Sequence, residues 1–146
     1  MASGVRIMDI GNFNGGMEKG NNQEIWIGKN KISLDSNHIV HQVLTGDINE
    51  DSANDIVQAT FQLANNLDRI SILIDLNSSG QPSIEARRSF LHTTENPKIN
   101  KVALWGLHPV ARVLASFVLG ISKNKSMRFF KTEEAALKWL RGEGKT

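Results

Sequence analysis

The alternation of apolar and polar positions divides the chain into an N-terminal stretch with little pattern and a long remainder where strand and helix periodicities alternate. Glu24–Gly28 (EIWIG) and Lys31–Leu34 (KISL) are short β-like runs joined across the turn-forming Gly28-Lys29-Asn30. His38–Leu44 (HIVHQVL) predicts a third strand. Ile39, His41 and Val43 share one of its faces and His38, Val40, Gln42 and Leu44 the other. Gly46-Asp47 is expected to break it. In Ser52–Leu67 the residues Ala53, Ile56, Val57, Thr60, Phe61, Ala64 and Leu67 recur at helical spacing, and Asn49 or Asp51 can cap that helix.

Arg69–Leu76 (RISILIDL) is a nearly unbroken apolar run, the pattern of a central strand covered on both faces. Asn77-Ser78-Ser79-Gly80-Gln81-Pro82-Ser83 is expected to be a loop, with Ser83 capping a helix Ile84–Thr94 that Asn96-Pro97 stops. Ile99–Trp105 is the next buried strand. His108-Pro109 opens a helix to about Leu119, ended by Gly120. Met127–Phe130 is a last strand, and Thr132 caps a final amphipathic helix through Leu140. Strands alternating with helices imply βαβ units, and the first short strands add an antiparallel edge. The expectation is an α/β fold: a mixed, mostly parallel sheet of about five or six strands with about four helices.

Residues 1–23 carry five glycines, from Gly4 to Gly20, and are expected to be a flexible arm ahead of one domain over 24–146. Val5, Ile7, Met8 and Ile10 still allow a short edge strand there. Seventeen Lys and Arg against fifteen Asp and Glu give a net charge of +2, too small and too dispersed to point to nucleic acid. The chain has no cysteine, which excludes disulfides and thiolate chemistry and fits a cytoplasmic protein. Neither a signal peptide nor an apolar run of membrane-spanning length is visible.

Several local phrases are similar to one family. They are Ile72-Leu73-Ile74-Asp75-Leu76, then Glu85-Ala86-Arg87-Arg88, then Lys101-Val102-Ala103-Leu104-Trp105-Gly106, and finally Phe129-Phe130-Lys131-Thr132-Glu133-Glu134-Ala135-Ala136-Leu137-Lys138-Trp139-Leu140. Together, over roughly residues 24–142, they resemble the STAS superfamily, the sulfate-transporter and anti-sigma-factor-antagonist domains, and within it the small bacterial SpoIIAA-like branch. The resemblance implies a non-enzymatic regulatory or protein-interaction module. In the anti-sigma antagonists a partner kinase phosphorylates a serine at the start of the helix after the central strand. The matching region here is Asp75–Ser83, with Ser78, Ser79 and Ser83 as candidate acceptors. It departs from the antagonists' pattern, because Asn77-Ser78-Ser79-Gly80 is followed by Gln81-Pro82-Ser83 rather than leading straight into a helix.

The residues themselves add the following. The segment Asp75–Ser83 lies where open α/β sheets bind ligands, so Asp75, Ser78, Ser79 and Ser83 read as an anion-binding loop or, preferably, as a turn and a helix cap. Arg87 and Arg88 suit a phosphate or carboxylate partner, although a solvated helix face is the simpler reading. His38, His41, His92 and His108 lack ligand spacing for a metal, and no Gly-x-Ser-x-Gly elbow or phosphate loop is present. No catalytic residue, metal or cofactor is expected. On Pro109–Leu119 the outer side carries Ala111, Ala115 and Leu119 with Arg112 as its one charge. A helix so weakly polar suits a second protomer, a protein partner or an apolar ligand. The expectation is therefore a homodimeric regulator. A phosphorylatable antagonist and a small apolar-ligand or lipid-binding protein are the alternatives.

Overall fold

The computed structural model describes residues 5–8, 23–108 and 126–143, with residues 5–8 as backbone course only. Among these residues one seven-stranded sheet is formed by β1 (Val5–Met8), β2 (Gln23–Ile27), β3 (Asn30–Leu34), β4 (Ile39–Ile48), β5 (Ile70–Pro82), β6 (Ile99–Trp105) and β7 (Met127–Phe130). The helices are α1 (Glu50–Leu63), α2 (Ile84–Thr93) and α3 (Glu133–Leu140). Strand order in the sheet follows chain order. The first three pairings are antiparallel and the last three parallel. The class is the expected mixed α/β one. The sheet is not mostly parallel, however, since the three short N-terminal strands meander and make half of its pairings antiparallel. The strand beyond the expected five or six is Val5–Met8. The anticipated Pro109–Leu119 helix lies outside the described residues.

Period-two alternation sends each strand's side chains to two cores. One face of β2–β7 supplies Ile25, Ile32, Val40, Leu44, Ile72, Ile74, Val102, Leu104 and Met127, over which α1 packs Ala53, Ile56, Ala59 and Leu63 and α2 packs Ala86. The opposite face presents Ile39, Leu73 and Ala103 to Ala136 and Leu140 of α3. On that second face a cross-strand row runs Trp26, Lys31, Val43, Asp75, Trp105, Phe130. Trp139 of α3 closes on its end, with ring centroids 5.5 Å from Phe130, Nζ of Lys101 5.0 Å from its own ring, and its carbonyl accepting from that Nζ at 2.8 Å.

Two local expectations give way to one finding. Gly46-Asp47 does not break β4, and Asn77–Pro82 is strand rather than loop, because the two segments pair with each other beyond the main sheet. Val43 pairs with Asp75, Thr45 with Ser78, Gly46 with Ser79 and Ile48 with Pro82, so at each of two slips β5 advances one residue more than β4. A carboxylate accepts an N–H beside each slip. Oδ1 of Asp75 takes the N–H of Asn77 at 2.9 Å, and Oδ1 of Asp47 takes that of Gln81 at 3.0 Å. The strands come so close that a β-carbon on Gly80 would meet the Asp47 carboxylate and lie 3.0 Å from the Asp47 nitrogen.

The β3–β4 turn is built on Asp35. Its Oδ1 accepts from Asn37 N at 2.8 Å and Ile39 N at 3.1 Å, while Oδ2 lies 2.8 Å from Nε2 of His41. His38 ends this turn at φ +63°, so it is a left-handed turn residue rather than the strand residue expected.

Two outcomes are expected. Gly80→Ala lowers stability by about 1–3 kcal/mol in urea denaturation through overpacking; an unchanged midpoint would show that β4 and β5 part without cost. For Asp35, partial burial raises the carboxyl pKa, but hydrogen bonds from His41, Ile39 N and Asn37 N and the His41 charge outweigh it, and the net shift is downward. A lowered folded-state pKa adds stability above the unfolded value of about 3.9, and that stability is lost as pH falls through the folded-state value. Wild type is therefore more stable than Asp35→Asn at about pH 7, with the gap closing below about pH 4; a gap that stays constant into acid contradicts this.

Candidate functional site

The extended ends of β4 and β5 and the start of α2 bring the sequence candidates into one region and give each a different setting. Asp75 is half-buried, and its Oδ1 accepts from both the N–H and the Nδ2 of Asn77, at 2.9 and 2.8 Å. Oδ1 of Asn77 in turn accepts from Leu107 N at 2.7 Å, tying the β5 slip to the chain just after β6. The carboxylate thus holds the register slip within β5, where the simpler reading expects a turn.

The three serines diverge. Ser78 is exposed. Ser79 is half-buried and donates its hydroxyl to Gly80 O at 2.9 Å. Ser83 is the N-cap of α2: its Oγ accepts from Ala86 N at 3.0 Å and its own N–H reaches back to Ile48 O at 2.9 Å. Glu85 in the first turn suits the positive end of the helix. Arg87 and Arg88 do not form a pair, since Arg87 turns inward to line a cavity while Arg88 is exposed. Ala111, Arg112, Ala115 and Leu119 lie outside the described residues.

The histidines are dispersed: His41 bonds Asp35, His92 faces Glu95 at 3.3 Å on an exposed helix end, and His108 is exposed. Among the described residues no three His, Asp or Glu side chains gather as a metal site requires. No helix among them is long and apolar enough to cross a membrane.

Sequence reading missed the cavity. It lies between the sheet and helices α1 and α2, with mainly apolar walls that include Leu44, Ile72, Phe90 and Leu104. One wall residue is Gln42, only 2% exposed, whose Nε2 donates to Thr60 Oγ1 at 2.9 Å. Among the described residues, Oε1 of Gln42 is buried without a hydrogen-bond partner, as is Nε1 of Trp105 on the opposite face. An unmet buried polar atom costs about 1–3 kcal/mol. The signal was present in the alternation of β4, which puts Gln42 between Val40 and Leu44 on a core-facing row, but a single polar residue in a strand does not announce a void.

Comparisons with known proteins agree with this geometry. The family model described as Domain of unknown function (DUF7793) matches residues 32–143. Among solved structures, an uncharacterized protein of the DUF3478 family with a SpoIIAA-like fold, from Shewanella loihica PV-4, superposes with a TM-score of 0.56 at 15% identity. That match covers 86% of this chain and 99% of the other. The anti-sigma factor antagonist SpoIIAA in its unphosphorylated form gives 0.54 at 15% identity, covering 77% of this chain and 98% of the other. Comparison with curated protein sequences finds no match. The fold is therefore SpoIIAA-like, as the sequence phrases implied.

Removing the cap tests how the region is held. Ser83→Ala is expected to cost about 1 kcal/mol and Ser83→Asp close to nothing in thermal unfolding, because aspartate caps as well and favours the dipole; equal losses in both variants would mean that the hydroxyl does not serve as the cap.

Proposed function

We propose, from the premise that this chain belongs to the DUF7793 family of domains of unknown function, that it is a non-enzymatic regulatory module acting on a protein partner through the ends of β4 and β5 and the start of α2. The observation that carries this reading is Ser83, a hydroxyl at the N-terminus of the helix that follows the central strand. It stands on a fold shared with an anti-sigma factor antagonist described in its unphosphorylated form.

A phosphate on Ser83 would meet the free N–H groups of the first turn and the positive dipole end, so the modification adds charge without unseating the helix. Ser78, exposed one bulge away, is the second acceptor; Ser79 is the least suited, its hydroxyl being held by Gly80 O. Neither Ser79 nor Ser83 is bonded to a histidine, and a hydrolytic reading finds no support in their contacts. Self-association through residues 109–119 belongs to the same proposal and rests on their sequence alone.

A small apolar ligand is the second reading, and the cavity beside Gln42 supports it.

The test of the main reading is to isolate the chain from cells that make it naturally, map phosphate on the peptide spanning Ser78–Ser83, and compare partner capture by wild type, Ser78→Asp and Ser83→Asp. Phosphate at Ser83 or Ser78, with a partner lost or gained in the matching variant, is the expected result. An unmodified peptide together with identical partners for all three proteins would sink the switch. Native mass spectrometry of the same preparation reads the expected dimer.

A further inference from the structure

The hydroxyl of Thr60, fully buried on α1, donates to Ile56 O at 2.9 Å. A hydroxyl has one proton, so toward Gln42 the Thr60 oxygen can only accept. The Gln42 amide must therefore turn its NH2 to Thr60, at 2.9 Å, and the opposite orientation would set two acceptors against each other. This leaves Oε1 as an acceptor of defined direction, buried, without a partner among the described residues and on a residue that lines the cavity.

Among the described residues, the hydroxyl oxygens of the wall can also accept, but each of those side chains already holds a hydrogen bond, whereas Oε1 of Gln42 has none. The hydroxyls of Ser79, Thr93 and Thr94 donate to Gly80 O, Ser89 O and Leu91 O, and Arg87 has only donors. The cavity has a volume of about 40 Å³, against the roughly 10–15 Å³ that one water requires, so it has room for one small ring or a short alkyl chain.

We propose that this cavity binds a small, mainly apolar molecule carrying one hydrogen-bond donor, a hydroxyl or N–H, which it presents to Oε1 of Gln42. The inference rests on the small-ligand reading of the chain and specifies its chemistry. The apolar wall sets the size of the body, and the unpartnered acceptor favours a ligand that brings a donor over one of the same shape that brings none.

The experiment is an NMR titration of the full chain with phenol, toluene and anisole, following the side-chain amide of Gln42 and the methyl groups of Leu44 and Ile72. Phenol is expected to bind about tenfold more tightly than toluene or anisole, the worth of one hydrogen bond in a dry site, and to move the Gln42 amide signals. In Gln42→Leu the three ligands should converge to within about twofold. Thr60→Val frees the amide to turn its NH2 inward, so anisole should gain on phenol there. That second variant keeps the test decisive if Gln42→Leu does not fold. Equal affinities for phenol and toluene in the wild type would overturn the donor specificity while leaving a ligand cavity in place. No methyl shift with any of the three would overturn both the specificity and the small-ligand reading.

Discussion

The parallel pairing of β4 with β5 is the constraint on which the rest depends. β5, like its neighbours β4 and β6, has both faces covered, its Ile70, Ile72 and Ile74 under α1 and α2 and its Leu73 under α3. Its position in the middle of the sheet determines which side each connection must take. Because α1 follows β4 and α2 follows β5, the two right-handed crossovers fall on one face, and the other is left for α3. Extension of the same pairing past the sheet then carries Ser78–Ser83 outward and delivers Ser83 to the N-cap of α2. The site's location is thus a by-product of strand pairing rather than of any loop.

Much of this was legible in the chain because burial and periodicity are local signals. Ile-rich β5, the α1 stripe built on Ala53, Ile56 and Thr60, and the caps Asn49, Ser83 and Thr132 all stand where pattern and capping chemistry put them. What was not legible depends on a partner strand distant in sequence. Gly46-Asp47 and Asn77–Pro82 each carry turn residues, and either alone would leave the sheet. Paired, Asp47 and Asp75 accept the amides beside the two slips, and Gly80 admits the close approach. Propensity is overruled there by an interaction that no window of the sequence contains.

The candidate site was legible as a place and less so as a set of roles. The candidates Asp75, Ser78, Ser79 and Ser83 do fall in one region. Their division of labour follows from which hydroxyl or carboxylate happens to face a backbone group, and that is decided by the two register slips. Gln42 shows the converse. Its address on the core-facing row was evident from alternation, whereas the direction of its amide emerges only through Thr60, eighteen residues on, and through the single proton of a hydroxyl.

The row that crosses the sheet has an optical consequence. Trp26 and Trp105 lie in that row, and Trp139 is the residue of α3 whose ring meets its end at Phe130, tilted by 41°. These are the three tryptophans of the chain, and it has no tyrosine. All of the intrinsic indole emission therefore originates on one side of the sheet. It reports the docking of α3 and the surroundings of Asp75, and it is nearly blind to whatever happens beneath α1 and α2. A steady emission spectrum in this protein describes one half of its interior and leaves the other half dark.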